Sequence, residues 1–234
     1  FPCFLCLWDS RARESHWIRR EWPARTTMNP GEKNVIRESL VKREKIILPP
    51  LHIKLGIMKQ FVKALHKDGD CFKYIASKFS FLSDAKLKEG IFVGPNIRSL
   101  MKDEYFENVM THEERLAWTG FKNVVDGFLG NRKHPDFKSM VENMLIAMKN
   151  LGCNMSIKIH FLHGHLDFFP DNPGDFSEEH GERAHQDMQE IETRYQGRWD
   201  EVMMADYCWS LKRDNVKLQH RRQSRRQTFN MKRK

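Results

Sequence analysis

The sequence predicts a mainly α-helical protein. Over several segments the apolar residues recur at intervals of three and four, which is the period of a helix with one buried face. The alternation of apolar and polar residues that marks half-buried strands is scarce. Glycine and proline separate the periodic segments and are expected to end the helices. With 40% hydrophobic and 11% aromatic residues, the chain of 234 residues can bury a sizeable core.

The first half predicts a loop-rich start followed by short helices. Up to about Pro30 the chain is rich in Trp, Arg and Pro and lacks clear periodicity, which suits a segment held by side-chain contacts or by a metal. After the break at Pro49 and Pro50, Leu51 begins an apolar pattern of helical spacing that runs to residue 65. Further helices are expected over residues 71–79, 86–89, 97–102 and 113–128.

The second half contains the clearest helical pattern. It opens at Pro135, and Gly152 stands just past its end, where glycine commonly terminates a helix. The apolar residues 155–169 predict a helix or a strand that stops at Pro170. Ser177 is a suitable N-cap for a charged helix through residue 194, and a last helix is expected over residues 199–212.

The net charge of +9 is a property of the C-terminal tail. After Asp214 there is no acidic residue, whereas the rest of the chain has 32 basic and 31 acidic residues. The sequence therefore predicts one helical, metal-binding domain over residues 1–214 and a basic, disordered tail over residues 215–234. Such a tail contacts nucleic-acid phosphates without reading sequence, or serves as a solvated segment or a nuclear localisation signal. The candidate nucleic-acid-binding residues are Arg221, Arg222, Arg225, Arg226, Lys232, Arg233 and Lys234.

Cysteine usage indicates a reducing compartment. Five cysteines are an odd number, and apart from the first pair they are scattered, which argues against a secreted disulfide framework. No apolar run approaches the roughly 20 residues of a membrane span, and no signal peptide is visible. We therefore expect a nuclear or cytoplasmic protein that is neither secreted nor embedded in a membrane. Because the chain begins at Phe1 rather than at Met, it is expected to be a fragment of a longer protein.

The first two cysteines suggest half of a zinc site. Cys3 and Cys6 form a CxxC pair, which can present two thiolates from one short loop to one metal ion. A redox dithiol is an alternative, but it needs a strand before the pair and a helix after it, and the Trp- and Arg-rich continuation does not look helical. The absence of any special role is the other alternative.

Three histidines within six residues could supply the other half. His160, His163 and His165 lie on an otherwise apolar stretch, where a lone histidine is usually a core residue but three together favour metal binding. At about 100° per residue His160 and His163 share a helix face, whereas His160 and His165 are about 140° apart. The second pair can converge only if the helix loosens near Gly164.

An acidic segment follows the histidines. Glu178 and Glu179 are explained by a helix whose first turn favours negative charge. That account does not cover Gly181 inside a helix, or the polar stripe that includes Glu179 and Glu182. A helix with an acidic inward face would suit a divalent-metal site.

Together these features resemble one group of DDE transposases, namely the CACTA, Chapaev and Transib families and the catalytic subunit of V(D)J recombinase. In that group a CxxC follows the second catalytic Asp, a histidine pair precedes the catalytic Glu, and a long helical insertion separates the two. The resemblance implies that Cys3, Cys6, His160 and His165 bind zinc, with His163 as the substitute. It also implies that Glu179 is the catalytic acid, with Glu182 and Glu178 as alternatives.

The chain also resembles the back half of transposon-encoded reading frames found in animal genomes. This resemblance covers almost the whole length, and the recurring phrases that carry it are residues 2–11, 48–56, 181–183, 195–199 and 205–209.

The family resemblance implies a function in cut-and-paste transposition. In the complete enzyme two Mg²⁺ or Mn²⁺ ions, held by Asp, Asp and Glu, would promote cleavage of DNA at the transposon ends and transfer of the strands, commonly in a homodimer in the nucleus. The two aspartates and their strands would precede Cys3. The chain would then be the zinc-stapled helical insertion plus the final catalytic helix of a truncated RNase H-like core, inactive alone.

Three other functions compete with transposition. The chain could be a non-enzymatic, zinc-containing DNA- or protein-binding module derived from a transposon. It could also be a transposon fossil without selected function, or a thiol oxidoreductase.

Overall fold

The protein is mainly α-helical, as predicted. The computed structural model describes residues 1–177 and 179–213, and these contain no β-strand, only one isolated bridge between Cys6 and Ala24. The α-helices of this part are α1 (Pro50–Ala64), α2 (Asp70–Lys78), α3 (Asp84–Lys88), α4 (Gly94–Met101), α5 (His112–Gly127), α6 (Phe137–Asn150), α7 (Ile157–Gly164), α8 (Glu179–Arg194) and α9 (Glu201–Arg213).

The described residues divide into two compact units, one within residues 1–179 and one over residues 180–213. The first contains the N-terminal segment and α1 to α7 with one large apolar core. In the second, Trp199 donates its indole N–H to Glu192 and Tyr195 donates its hydroxyl to Asp206. Of the predicted basic tail, residues 215–234 lie outside the described residues. Among the helices of the described part, none has both the length and the apolar character needed to cross a bilayer.

Helix α1 passes through the centre of the first unit. Pro50 occupies the start of the helix, where its fixed φ and missing N–H are tolerated. Ile53, Ile57 and Phe61 recur at a spacing of four and are almost completely buried. The predicted helix over residues 51–65 is confirmed, and its buried face supports the elements around it.

Helix α5 carries Trp118, the bulkiest of the fully buried side chains in the described part of the chain. Its start is fixed by a capping box in which the Thr111 hydroxyl accepts the Glu114 N–H at 3.3 Å and the Glu114 carboxylate accepts the Thr111 N–H at 2.8 Å. Two turns on, the ring of Trp118 is inaccessible to solvent and lies 5.0 Å from the ring of Phe106 and 5.5 Å from that of Phe61. These aromatic contacts join α5 to α1 and to the 3₁₀ segment Glu104–Val109.

Helix α6 ends as the sequence predicts. Gly152 has φ +83°, the left-handed conformation that glycine adopts without strain. The N–H of Cys153 donates to the Met148 carbonyl and that of Gly152 to the Lys149 carbonyl, both at 2.9 Å, which is the Schellman pattern. The chain therefore reverses within a few residues and begins α7.

The apolar stretch after α6, predicted as helix or strand, is a helix followed by a turn. The Ser156 hydroxyl accepts the N–H of Ile159 and caps α7. The helix stops at Gly164, and a 3₁₀ turn over Leu166–Phe168 continues the chain.

A half-buried ion pair predicts how stability depends on pH. The Asp103 carboxylate binds the Lys78 ammonium and accepts the Tyr74 hydroxyl at 2.7 Å, and only 12% of its side chain is exposed. The hydrogen bond from Lys78, followed by that from Tyr74, lowers the pKa of Asp103 below its ordinary value. A depressed carboxyl pKa contributes stability that is present above the unfolded value near 4 and lost as pH falls through the folded value.

We expect Asp103→Asn to lower the free energy of unfolding by about 1–2 kcal/mol at pH 7, because hydrogen bonds to a charged group are lost. The difference from the wild type should shrink as pH falls from 5 towards 2, as measured by urea unfolding. Asp167→Asn is the control, since Asp167 binds Lys138 in a pair whose carboxylate side chain is 87% exposed. A pH-independent difference for Asp103→Asn would contradict the prediction.

Candidate metal centre

The CxxC lies in a loop that is held by backbone pairing. The N–H of Arg25 donates to the Leu5 carbonyl at 3.0 Å, and that of Leu7 donates to the Pro23 carbonyl at 2.8 Å. These two bonds flank Cys6 and clamp its segment against residues 23–25. The predicted loop-rich start is therefore ordered by its own hydrogen bonds, and both cysteines are buried within it.

Arg25 organises this loop and was not predicted from the sequence. Its side chain is buried, and its guanidinium donates to the carbonyl of Cys3 at 2.9 Å and to that of Phe1 at 2.8 Å. The hydrogen bond with Cys3 raises the pKa of Cys6, and the positive charge of Arg25 opposes that rise only as a minor contribution. No periodicity marks such a residue, because its role depends on carbonyls more than twenty residues away.

The histidines converge through the end of α7. His165 is the first residue after the helix and has φ −137° and ψ 37°, so its side chain departs from the helical direction. Its ring centroid lies 5.0 Å from that of His160. The helix therefore ends at Gly164, and this departure from helical geometry is what allows the His160 and His165 side chains to converge. His163 stays away from the cysteines and lies edge-on against Trp17, with ring centroids 6.2 Å apart.

Four side chains thereby form a compact cluster of metal-ligating atoms. The Cys6 Sγ lies 3.2 Å from Nε2 of both His160 and His165, and the Cys3 Sγ lies 3.5 Å from Nε2 of His165. All four ligand atoms lie within 4.8 Å of one another. Tetrahedral zinc, with bonds of about 2.3 Å to sulfur and about 2.0–2.1 Å to nitrogen, separates sulfur from nitrogen by about 3.6 Å. The cluster can hold a metal ion of this size.

The protonation states in the cluster suit a metal. The hydrogen bond with Cys6 lowers the pKa of Cys3, and the same bond raises the pKa of Cys6, so the two thiols compete for one negative charge. Burial lowers the pKa of His160, which keeps its imidazole neutral. A cation would stabilise both thiolates at once, and the neutral imidazole of His160 leaves a nitrogen lone pair available for it.

Stacking orients the buried histidine. The Trp8 ring lies almost parallel to the His160 ring, with centroids 4.9 Å apart and 14° between planes. The His16 ring lies 4.7 Å from the Trp8 ring, and its Nε2–H donates a hydrogen bond to the Asp9 carbonyl at 2.7 Å. Nδ1 of His160 has no hydrogen-bond partner among the residues described. The aromatic stack takes the orienting role that a second hydrogen bond commonly has in metal sites.

The predicted catalytic acids cannot be placed against this cluster. Glu179 and Glu182 lie in α8, but the positions of their side chains are not described, and Glu178 lies outside the described residues. The seven basic tail residues, from Arg221 to Lys234, also lie outside them. Their roles in catalysis and DNA binding stay predictions.

Family models match two parts of the chain, and both are described as domains of unknown function. DUF8703 matches residues 1–41 and DUF8704 matches residues 50–130. The first match contains Cys3 and Cys6, and neither match reaches His160 or His165. No curated protein and no solved structure matches the chain.

Proposed function

We propose that Cys3, Cys6, His160 and His165 form a structural zinc site within the C-terminal part of a DDE-type DNA transposase. The observation that carries this proposal is the convergence of a CxxC with an H-x4-H pair across 154 residues of chain. Helices α1 to α6 lie between the two halves, and α8, with Glu179, follows them. This order is the one that the resemblance to the RNase H-like transposases implies.

Zinc fits the ligand set better than other biological metals. Two thiolates and two imidazoles are a common structural zinc set, whereas oxygen ligands are typical for magnesium and calcium. All four tetrahedral positions would be filled by protein, which leaves no position open for substrate. The role of this metal would be to hold the N-terminal loop against α7.

In the transposase reading Glu179 is the third carboxylate of a separate site for two Mg²⁺ or Mn²⁺ ions. Glu182 and Glu178 are the alternatives. The two aspartates would come from a sheet encoded upstream of Cys3, and the substrate would be transposon-end DNA, bound in the nucleus by a dimer. The basic tail from Arg221 to Lys234 would add contacts to DNA phosphates.

A non-enzymatic, zinc-containing module that binds DNA or protein is the second candidate. The observation that favours it is that all four ligands and a large apolar core belong to one compact unit, residues 1–179. Such a module needs zinc and the helical core but not the carboxylate of Glu179.

The zinc proposal is tested by metal content and X-ray absorption. We expect about one zinc per chain, coordinated by two sulfur and two nitrogen atoms. His160→Ala and Cys6→Ser should lose it. The matched controls are His163→Ala and Cys153→Ser, which replace a histidine of the same helix and another buried cysteine outside the cluster. Equal zinc content in ligand variants and controls would exclude the site.

The transposase proposal needs a different experiment. The DNA upstream of the Phe1 codon should continue the reading frame and encode two acidic residues on predicted strands. The extended protein should nick transposon-end DNA with Mg²⁺ or Mn²⁺, and one of Glu179→Gln, Glu182→Gln and Glu178→Gln should abolish the nicking. Residues 1–234 alone should show none. Nicking that survives all three substitutions would remove the acidic segment from the active site, and zinc without any nicking would favour the binding module.

A further inference from the structure

A cleft of about 370 Å³ opens beside the metal cluster. Its walls come from the N-terminal segment, from α1 and from the residues that begin α7. Polar residues that line it include Ser10, Arg13, His16, Gln60, Lys63 and Asn154. All belong to the first unit, so the cleft depends on one compact part of the chain.

The cleft is positively charged. None of the residues that line it is acidic, and two are cationic, Arg13 and Lys63. The Lys63 Nζ lies 2.9 Å from a carboxylate oxygen of Glu89. Glu89 itself does not line the cleft. The Arg13 guanidinium is solvent-exposed and makes no ion pair or hydrogen bond within residues 1–177 and 179–213. A guanidinium has a planar array of donors that matches the oxygens of a phosphate.

The cleft also contains uncharged side chains that can donate hydrogen bonds. The side chains of Ser10, Gln60 and Asn154 have no hydrogen-bond partner in the described part of the chain. The start of α7 also lies in the wall, through Ser156 and Ile157. Ser156 already accepts the N–H of Ile159, and the Ile157 N–H has no acceptor within the helix. The positive end of the helix dipole therefore faces the same space, where it favours an anion.

One residue of the wall, Trp8, has a buried donor without a partner in the described part of the chain. Trp8 lines the cleft, only 2% of it is exposed, and its indole Nε1 has no hydrogen-bond partner among the described residues. Two other tryptophans of the N-terminal segment are satisfied, since Trp17 donates to the Cys153 carbonyl and Trp22 to the Arg19 carbonyl. Buried donors without a partner are uncommon in folded proteins. The indole of Trp118 in the apolar core also has none among the described residues, so Trp8 adds to the case for a ligand only together with the cations of the cleft.

We propose that this cleft is a binding site for a phosphate group. Its cations, free amide and hydroxyl groups, and helix start all favour an oxyanion, and nothing in its lining repels one. The volume exceeds that of one phosphate ion, so we infer a phosphate that belongs to a larger molecule, either a small phosphate ester or a nucleic-acid backbone. The proposal depends only on the first unit and holds for either function proposed above.

The test is an NMR titration of the ¹⁵N-labelled, zinc-loaded full chain with inorganic phosphate. We expect saturable shifts of the Trp8 indole signal, assigned with Trp8→Phe, and of the side-chain amides of Gln60 and Asn154. Arg13→Gln should weaken binding about tenfold or more, because a hydrogen bond to a charged group is lost. Lys63→Gln should weaken it in the same direction. The matched control is Arg11→Gln, because Arg11 binds Asp9 and does not line the cleft.

Unchanged cleft signals at tens of millimolar phosphate would overturn the proposal, and so would equal weakening of phosphate binding by Arg11→Gln and Arg13→Gln.

A second titration with duplex DNA identifies the source of the phosphate. If DNA shifts the same signals and phosphate competes, the ligand is a nucleic-acid backbone. If phosphate binds and DNA leaves the cleft signals unchanged, the ligand is a small phosphate ester. The proposed function is tested by zinc content and DNA nicking, which are measured independently of this titration. A failure of phosphate binding can therefore be distinguished from a failure of the proposed function.

Discussion

Replacing His160 with alanine is expected to lower the free energy of unfolding by at least about 3 kcal/mol. Two effects add, since removal of a completely buried side chain from beside Trp8 leaves a cavity, and the proposed zinc ion would lose a ligand. Structural zinc contributes about 10–16 kcal/mol in small zinc-finger peptides. The effect should be smaller here because the first unit also has a large apolar core.

The metal contribution can be measured separately by chelation. We expect EDTA to lower the thermal midpoint of the wild-type protein and added zinc to restore it, with no effect of either on His160→Ala. The helical circular dichroism signal should largely persist after chelation at low temperature, while trypsin should cleave the loosened N-terminal segment at exposed Arg13 and Arg19. A structural metal that joins positions over 150 residues apart should have this effect: its removal should loosen the N-terminal loop while the helical core stays folded.

His163→Ala is the control for both experiments. It removes a histidine from the same helix, but one that contacts Trp17 instead of the cluster. The His163→Ala protein should still bind zinc, and EDTA should still lower its thermal midpoint. If chelation left the wild-type thermal midpoint unchanged, the cluster would have no structural role as a metal site.

Gly120→Val should destabilise the first unit by about 3 kcal/mol or more. Gly120 lies in α5 where that helix passes close to the backbone of α6, and a Cβ added to it would lie 2.9 Å from the Met144 Cα and 3.2 Å from the Met144 Cβ. A backbone atom cannot turn away as the end of a flexible side chain can. The helices would have to separate, and Met144 and Trp118 would lose part of their contacts in the core.

Urea unfolding followed by tryptophan fluorescence and circular dichroism would measure this effect. The matched control is Gly181→Ala in α8, where an added Cβ meets no atom of the described residues within 4 Å. This second substitution removes a flexible glycine from an open helical position and should stabilise α8 by roughly 0.5–1 kcal/mol. A Gly120→Val protein as stable as the wild type would show that α5 and α6 are not in close contact at this point.

The sequence by itself determined the helices and most of their ends. Periodicity and capping act within a few residues, so the helix after Pro135 and its end at Gly152 could be predicted from local residues. The same holds for the candidate ligands, because CxxC and clustered histidines are local patterns. The stretch over residues 155–169 stayed ambiguous between helix and strand because its apolar residues run together without a clear period.

Only the tertiary structure decided which of these residues meet. The choice between His163 and His165 depended on the backbone leaving the helical path at His165, and the meeting with Cys6 depended on how α1 to α6 pack between them. The positions of Arg25 and Trp8 follow from contacts with distant residues and leave no periodic signal. Local interactions select helices within a few residues, whereas a site built from both ends of a long chain forms only when the core between them has packed.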